Sequence, residues 1–599
     1  MKSIASKLLS TLVLLFFTVS AASAQAPPGW GWVNKVGTYV PNSMSPNAVA
    51  GLGRDAAGNL YLLGTYVGTP LLGGMATTNA GETDMFLAKY SPAGALLWLR
   101  LLQSADVDQA TALTVEPSGR CTLAGFFGGG PTGDNLRFAG FGTVPGLGGP
   151  ALLGLPRVGV RNEYGSIMFL ATVDASGALL WADVVSPSYG TAITALHRDA
   201  LGNCYASVAT GLRNALVVNG QNYPPIGIND AVLIKYTAAG QPAWVRRVGV
   251  VGGSGYGGEV YTDAANAVYW MVGHSGTITI DQVTVGVSSS TGAMSLVKLS
   301  AANRVRWIKN DLLRVGVNNV VSQLLGLDAA TNALYLSCGS TGGAVAYTGS
   351  GSPVAVTPNA YTTCIARCDT AGQVQWVKPV SYATNVPGGL NGPRGASTRG
   401  FAVRGNGFTY VTSTVEYNAT TFYGSARTYG LAEGGLPCVV HFNVSSNQAE
   451  WVRVGGTPSL LGQNPNSYPV AAAIDAADNV YVAGNFMGTA QFGTVTVAST
   501  SATQQEIFLA KLDQSVLTGT RAAAGQAWEV FPNPTTGAVQ LTGLPAQARV
   551  RAYDAQGRAV RELTLTGAPA TLAGLAPGLY LLQVSNTARP YRPQRLIVR

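Results

Sequence analysis

A tryptophan following a turn of the type x-x-G-x-x-x-W recurs along this chain, at Trp32, Trp98, Trp181, Trp244, Trp307, Trp376 and Trp451, with intervals of 66, 83, 63, 63, 69 and 75 residues. After each comes a second turn signature. It reads D-A-A-G-N at Asp55, E-P-S-G-R at Glu116, D-A-L-G-N at Asp199 and D-A-A-N-A at Asp263, then D-A-A-T-N at Asp328, R-G-N-G at Arg404 and D-A-A-D-N at Asp475. Asp, Gly and Asn clustered between apolar runs supply a side-chain cap and a left-handed position, so these segments are tight turns. A short strand follows, usually with a tyrosine: Tyr61, Tyr205, Tyr269, Tyr335, Tyr410 and Tyr481. A third strand carries a basic residue, as in F-L-A-K-Y ending at Tyr90 and F-L-A-K-L ending at Leu512.

Each unit thus holds four short strands, and no stretch beyond the first residues sustains a helical period. A fixed period with four strands per unit predicts an all-β, seven-bladed β-propeller. Small residues dominate several first strands, as in A-V-A-G-L-G from Ala48 and A-A-A-I from Ala471, which suits a crowded hub. The last unit, from Trp451 to Asp513, lacks a Trp strand, and W-G-W-V-N-K-V-G from Trp30 is an orphan of that type. The expectation is that the N-terminal strand completes the last blade and leaves no open edge. An incomplete terminal repeat is the other reading.

The repeat resembles the secreted bacterial β-propeller repeats known as SBBP repeats, most clearly over D-A-A-D-N-V-Y-V-A-G-N-F-M-G-T-A-Q-F-G from Asp475 to Gly493. The resemblance covers most of residues 30–513 and implies a fold and an extracellular setting, without a uniform activity.

Lys2 and Lys7, the apolar run from Leu8 to Val19 and the A-S-A at Ala22 to Ala24 read as a secretory signal cut after Ala24. The run is short for a membrane anchor, and no later stretch is long enough to cross a bilayer. The net charge of +9 suggests a nucleic-acid partner until it is divided along the chain. Residues 1–24 carry +2, Arg521 adds +1 and residues 527–599 carry +5, which leaves +1 for residues 25–513. A nearly neutral main domain lacks the electrostatic footprint of nucleic-acid binding.

Chemistry is sparse. The histidines are His197, His274 and His441, and no H-E-x-x-H, G-x-S-x-G or Cys/His ligand spacing occurs. No catalytic residue, metal site or cofactor is therefore assigned. The recurrent basic position (Lys89, Lys235, Lys298, Arg367, His441, Lys511) is expected to be structural, because it repeats once per unit. The Asp turns lack the alternating carboxylates of a calcium loop, so capping is their expected role. Cys364 aligns with Phe86, Cys368 with Tyr90 and Cys438 with the Phe86 place, while Cys121 and Cys204 share one site. Buried thiols are expected there. The disulfide alternative would join Cys338 to Cys364 or Cys368.

The two short turns of each unit belong to one face, and the longer connections to the opposite one. The longest runs from Phe126 to Tyr164 and carries Arg137, Arg157, Arg161, Asn162 and Tyr164. Function on a rigid scaffold concentrates in such loops. These residues are the candidate recognition face over the channel mouth, for surface glycans or other extracellular proteins; a packing lid without a ligand is the alternative.

After a linker at 514–526, the composition changes. W-E-V-F-P-N-P-T-T-G from Trp528, V-R-A-Y-D-A-Q-G-R-A-V from Val550, L-A-P-G-L-Y-L-L-Q-V from Leu575 and the closing R-P-Q-R-L-I-V-R predict a small antiparallel β-sandwich over 527–599. This stretch resembles the type A C-terminal sorting domain of the type IX secretion system of Bacteroidetes-like bacteria. Pro532, Asn533, Pro534, Gly537, Gly578, Tyr580 and Arg595 carry the resemblance. It implies that an outer-membrane translocon reads the tail and that a sortase removes it, with the cargo released or attached to the surface. The chain ends on Arg599 and uses Arg where Lys is frequent in that family. The combined expectation is a secreted or cell-surface monomer that binds or scaffolds; a glycan-active hydrolase or lyase is the alternative and would need clustered carboxylates at the channel mouth.

Overall fold

The computed structural model describes residues 29–513 and 528–599, apart from segments at 38–46, 105–106, 129–136, 143–165, 187–190, 212–214, 287–292, 311, 316–317, 320, 341–343, 348–352, 358–359, 385–398, 405–406, 414–418, 426–427, 430–435, 458–466, 501–504, 555–557, 568, 586–590 and 592–593. The chain divides into two compact units, one over residues 28–514 and one containing residues 515–599. The expected signal segment with Ala22 and Ala24, and the linker 514–526, lie outside the described residues.

The first unit is all-β and propeller-like. Among its described residues, six antiparallel sheets each contain four strands in chain order, and a further sheet takes three strands from the end of the unit and one from its start. Sheet A is built from Ala48–Arg54, Leu60–Tyr66, Asp84–Tyr90 and Leu96–Gln103. Sheet B follows with Asp108–Val115, Cys121–Gly128, Ser166–Val173 and Leu179–Ser186, and sheet C with Ala192–Arg198, Cys204–Ala209, Asp230–Tyr236 and Pro242–Gly249. Sheet D holds Gly255–Thr262, Val268–His274, Ala293–Leu299 and Val305–Lys309; sheet E holds Val321–Asp328, Ala333–Ser340, Ala360–Asp369 and Val374–Thr384. Sheet F comprises Gly400–Arg404, Gly407–Ser413, Pro437–Asn443 and Gln448–Gly456. Sheet G takes Ser467–Ile474, Val480–Phe486 and Glu506–Asp513 from the end of the unit and Gly29–Gly37 from its start. The N-terminal strand pairs along the third strand of sheet G from Gly29 opposite Asp513 to Gly37 opposite Ile507.

The recurrent side chains form one row across sheets A, C, D, E and G. Gly53, Tyr61, Lys89 and Trp98 are successive cross-strand partners in sheet A. In sheet C the row is His197, Tyr205, Lys235, Trp244, and in sheet G it is Ala473, Tyr481, Lys511, Trp32. Trp32 therefore occupies the place that Trp98 and Trp244 hold in their own sheets. Sheet F departs from the expected register: Thr409, not Tyr410, faces His441 and Trp451. Its first hairpin pairs Arg404 with Gly407, whereas sheet A pairs Arg54 with Leu60 around its Asp turn. The tighter hairpin shifts the strand by one residue, and a one-residue slip sends every side chain to the other face.

Apolar burial is shared between neighbours. Tyr61, Leu63 and Trp98 of sheet A pack with Cys121, Leu123 and Phe127 of sheet B, and corresponding clusters join B to C, C to D, D to E, E to F and F to G. A further cluster joins Leu60, Phe86 and Leu99 of sheet A to Tyr481 and Leu509 of sheet G. First strands lie against first strands in the same order, G against A included. The approach is close: a Cβ on Gly53 would sit 2.4 Å from Val115 Cγ2 of the next sheet. That accounts for the small residues expected at the hub.

The connections between second and third strands differ from expectation. Phe126 and Phe127 belong to the second strand of sheet B, opposite Gln109 and Asp108, rather than opening a loop. Beyond them, Arg137–Gly142 pairs antiparallel with the fourth strand of sheet A, from Arg137 opposite Gln103 to Gly142 opposite Trp98. The same arrangement recurs. Leu71–Leu72 of the sheet A connection pairs with Gly29–Gly37, Leu216–Val218 with the fourth strand of sheet B, Ala419–Phe422 with that of sheet E and Thr489–Phe492 with that of sheet F. These connections extend the preceding sheet along its outer edge, so exposed ladder groups there find partners.

The second unit is a sandwich of two antiparallel sheets. Glu529–Phe531, Val539–Thr542 and Ala570–Leu572 form one, and Ala559–Thr564, Arg549–Tyr553, Gly578–Ser585 and Gln594–Val598 the other. Alternation along Gly578–Ser585 buries Tyr580 and Leu582 and exposes Leu579 and Leu581, the pattern of a strand with one dry face. Trp528, Leu541, Val550 and Leu596 share its core.

Candidate functional site

In the tail, the elements of the expected sorting signal converge although they are far apart in sequence. The segment from Pro532 to Gly537 runs beside the closing strand Gln594–Val598. The Asn533 side chain bonds both ways to it: its amide donates to the Arg595 carbonyl, and its Oδ1 accepts from the Ile597 N–H at 3.0 Å. Thr535 continues the ladder, its N–H donating to the Ile597 carbonyl at 2.9 Å and its carbonyl accepting from Arg599 N–H at 2.8 Å. Proline has no N–H to offer a ladder, so Asn533, flanked by Pro532 and Pro534, uses its side-chain amide in place of backbone. Gly537 N–H then bonds to Thr535 Oγ1 at 3.1 Å and turns the chain. Gly578 starts the strand in which the buried Tyr580 sits, and the Tyr580 hydroxyl donates to the Ala576 carbonyl at 2.8 Å. Pro532, Asn533, Pro534, Gly537 and Arg595 are exposed, so the motif presents a surface pinned to the C-terminal strand.

The first unit places its recurrent polar groups at the seams. Asp55 caps its own turn, accepting from Asn59 N–H at 2.8 Å, and Asp199 and Asp475 do the same at Asn203 and Asn479. Lys89 lies 4.9 Å above the Tyr61 ring, 3.5 Å from Asp55 and donates to the Ala175 carbonyl of sheet B at 3.1 Å. Lys298 repeats this over Tyr269 and reaches the Thr370 carbonyl of sheet E at 2.8 Å. Sheet B has Thr122 and Thr172 in place of the tyrosine and lysine, and Arg198 of sheet C fills the vacancy, bonding to Thr122 and pairing with Glu116. A cation is thus supplied from the neighbouring sheet where the strand itself lacks one.

Of the residues expected to form a recognition face, Arg157, Arg161, Asn162 and Tyr164 lie outside the described residues. Arg137 belongs to the outer-edge strand beside Gln103, on the far side of sheet A from its first strand. Sequence reasoning missed an inner group. Glu259, on the first strand of sheet D, accepts from the Leu324 N–H of sheet E at 3.4 Å. Burial raises its carboxyl above the ordinary range, against the pull of Leu324 N–H, Gln323 and Arg399. Arg399 is itself exposed; partial desolvation lowers it, while Tyr468 and Glu259 oppose that shift. Among the described first-strand residues, the other carboxylates are Asp108 at a strand start and Asp328 at a strand end. His197 bonds to Thr262 and burial pushes it down to about 4, so it is a neutral packing group.

Residues 529–599 match the family described as the secretion system C-terminal sorting domain. That match places the chain among proteins exported across the outer membrane to the cell surface or the medium, by way of the type IX machinery. No curated protein matches the chain. Among solved structures, the Dos1 propeller aligns over 81% of this chain and 94% of its own, at 9% identity and a TM-score of 0.35. A subtype N11 neuraminidase-like protein of a flat-faced bat influenza A virus aligns over 82% and 94%, at 9% identity and 0.27. PorZ, a surface component of the type IX secretion system of Porphyromonas gingivalis, aligns over 95% and 100%, at 10% identity and 0.14. The architecture is defined by the strand pairing.

Proposed function

We propose that this protein is a cargo of the type IX system whose working part is a seven-bladed β-propeller, closed by its N-terminal strand, that binds or scaffolds at the cell surface without catalysis. The mature body is residues 25–513, after loss of a signal segment cut behind Ala24; residues 514–526 are the linker, and residues 527–599 are read by the translocon and removed by a sortase. Trp32 standing in the tryptophan row of sheet G supports closure. The observation that carries the non-enzymatic reading is the fate of the recurrent basic side chains. Lys89 and Lys298 are spent on carbonyls of the adjacent sheet, and no pair of carboxylates faces another from the described first strands.

Recognition is assigned to the segment carrying Arg157, Arg161, Asn162 and Tyr164, with Arg137 on the edge strand beside Gln103, and the ligand class is surface glycans or other extracellular proteins. The protein acts as a monomer. The test uses residues 25–513 in a glycan array beside a polysaccharide-degradation screen. Binding without turnover, lost on alanine substitution at Arg157, Arg161 and Tyr164, is the expected result. Depolymerised substrate would replace this reading with that of a glycan-active enzyme.

A further inference from the structure

Of the six cysteines, all buried, two stand directly opposite each other: Cys338 on the second strand of sheet E and Cys364 on the third. Their flanking partners, Ser337 with Ile365 and Gly339 with Thr363, keep the pair in unbroken antiparallel register. Directly opposed residues share one face, with Cα atoms about 4.5 or 5.5 Å apart according to the type of pair. Both separations fall inside the roughly 4.4–6.8 Å over which a disulfide closes without backbone movement. The two thiols lie within one apolar cluster. In register, Cys368 stands opposite Leu334, Cys438 opposite Thr412, Cys121 opposite Val173 and Cys204 opposite Tyr236. Cys121 and Cys204 further belong to different clusters, on the two sides of sheet B.

We propose that Cys338 and Cys364 form a cross-strand disulfide in the exported protein. Export takes the chain through compartments in which disulfides form and persist. The step is thiol–disulfide exchange with a disulfide-bearing oxidant of the cell envelope. One thiolate attacks the oxidant's disulfide to give a mixed disulfide. The second attacks the protein sulfur of that mixed disulfide and displaces the oxidant, which leaves as the dithiol carrying the two electrons and two protons. Attack requires a thiolate. In the folded sheet the neighbouring Cys364 sulfur and burial hold the Cys338 thiol well above its usual range, so the exchange belongs to the time before sheet E is packed. Once closed, the bond ties together the two ends of the connection that carries Val345 and Val354, the pair joined by an isolated bridge.

The test is made on the full-length chain expressed in a type IX-competent host and recovered from surface or medium, then denatured directly into an alkylating agent so that the buried thiols are reached. Without reductant, two fewer thiols than the six present should be alkylated, and a non-reduced digest should yield one linked peptide containing Cys338 and Cys364. With reductant all six should react. The C364S variant should show the Cys338 thiol free, and reductant should lower the melting midpoint of the wild type while leaving that of a C338A/C364A variant unmoved. Six alkylated thiols in the unreduced exported protein, or a linkage between other cysteines, would overturn the proposal. The peptide map decides even if a variant fails to fold.

Discussion

The Trp32 indole N–H donates to the Pro92 carbonyl at 3.3 Å, joining the first strand of the chain to the turn between the third and fourth strands of sheet A. Trp98 of sheet A makes the same bond to Ala175 of sheet B, at 3.1 Å. The contact is a seam contact, and the N-terminal strand makes it as a member of sheet G. Asn34 adds a bond to the Gly94 carbonyl at 2.6 Å, and on the other side Trp30 reaches the Val454 carbonyl of sheet F at 3.2 Å.

Trp32→Ala should therefore destabilise the first unit as a seam mutation would. The half-buried ring loses packing and one hydrogen bond, at a cost of about 2–3 kcal/mol. Deleting residues 29–37 should do more, because it bares the edge of Glu506–Asp513 and promotes association. Urea unfolding of the variant and light scattering of the truncation check both. Unchanged unfolding of the truncated chain would remove the N-terminal strand from the account of closure.

The turn glycines make room for these tryptophans. Gly240 has φ +83°, and a Cβ there would lie 2.5 Å from the Trp181 ring of the preceding sheet. Gly74 has φ +87° with open space around it. Gly74→Ala should show the backbone cost alone, about 1 kcal/mol, while Gly240→Ala should add about 1–3 kcal/mol of overpacking. Equal midpoints for the two variants in denaturant would show that the seam is not tight.

Lys89→Met tests the structural assignment of the basic row. It removes the bond to Ala175 and leaves buried Asp55 without its cation. A loss of about 1–3 kcal/mol is expected, with glycan or protein binding by the folded variant unaltered. Loss of binding at full stability would make the row functional after all.

Asp84 supplies a pH signature. Burial raises its carboxyl to about 6, although Ala80 N–H and Gln103 hydrogen-bond to it. The folded state thus holds the proton more tightly than the unfolded chain. The associated stability is present below the unfolded value near 4 and is lost as pH rises through 6, amounting to about 3 kcal/mol. Buried His197 acts oppositely, being lowered to about 4 in the fold, so the comparison must be with Asp84→Asn. In that variant the fall in unfolding free energy between pH 4 and 6 should shrink; an identical pH profile would refute the assignment.

In the tail, Asn533→Ala should remove two bonds to the closing strand and cost about 1–2 kcal/mol of tail stability. Surface delivery should fall with it. Deleting residues 528–599 should leave the protein in the periplasm. Cell fractionation with surface labelling reads both, and undiminished delivery of the truncated chain would contradict the sorting role.

What the sequence by itself determined is the part of this protein governed by neighbours along the chain. Asp turns, Gly turns and the two-residue alternation each act within a few residues, so the strands, their order and the row ending at Trp98 or Trp244 were legible. The P-N-P-x-x-G and P-G-x-Y elements of the tail were legible for the same reason, as were the equivalent places of Cys121 and Cys204. Tertiary structure alone decided what depends on neighbours across space. The connection carrying Arg137 reads as a loop until the free edge of Leu96–Gln103 offers it hydrogen bonds. Tyr410 looks like Tyr61 until a shorter hairpin moves it to the other face, and Arg198 looks like an ordinary strand end until the gap beside Thr122 and Thr172 is seen. Choosing Cys364 over Cys368 as the partner of Cys338 likewise required the register of two strands, because pairing across a sheet is set by packing and not by spacing along the chain.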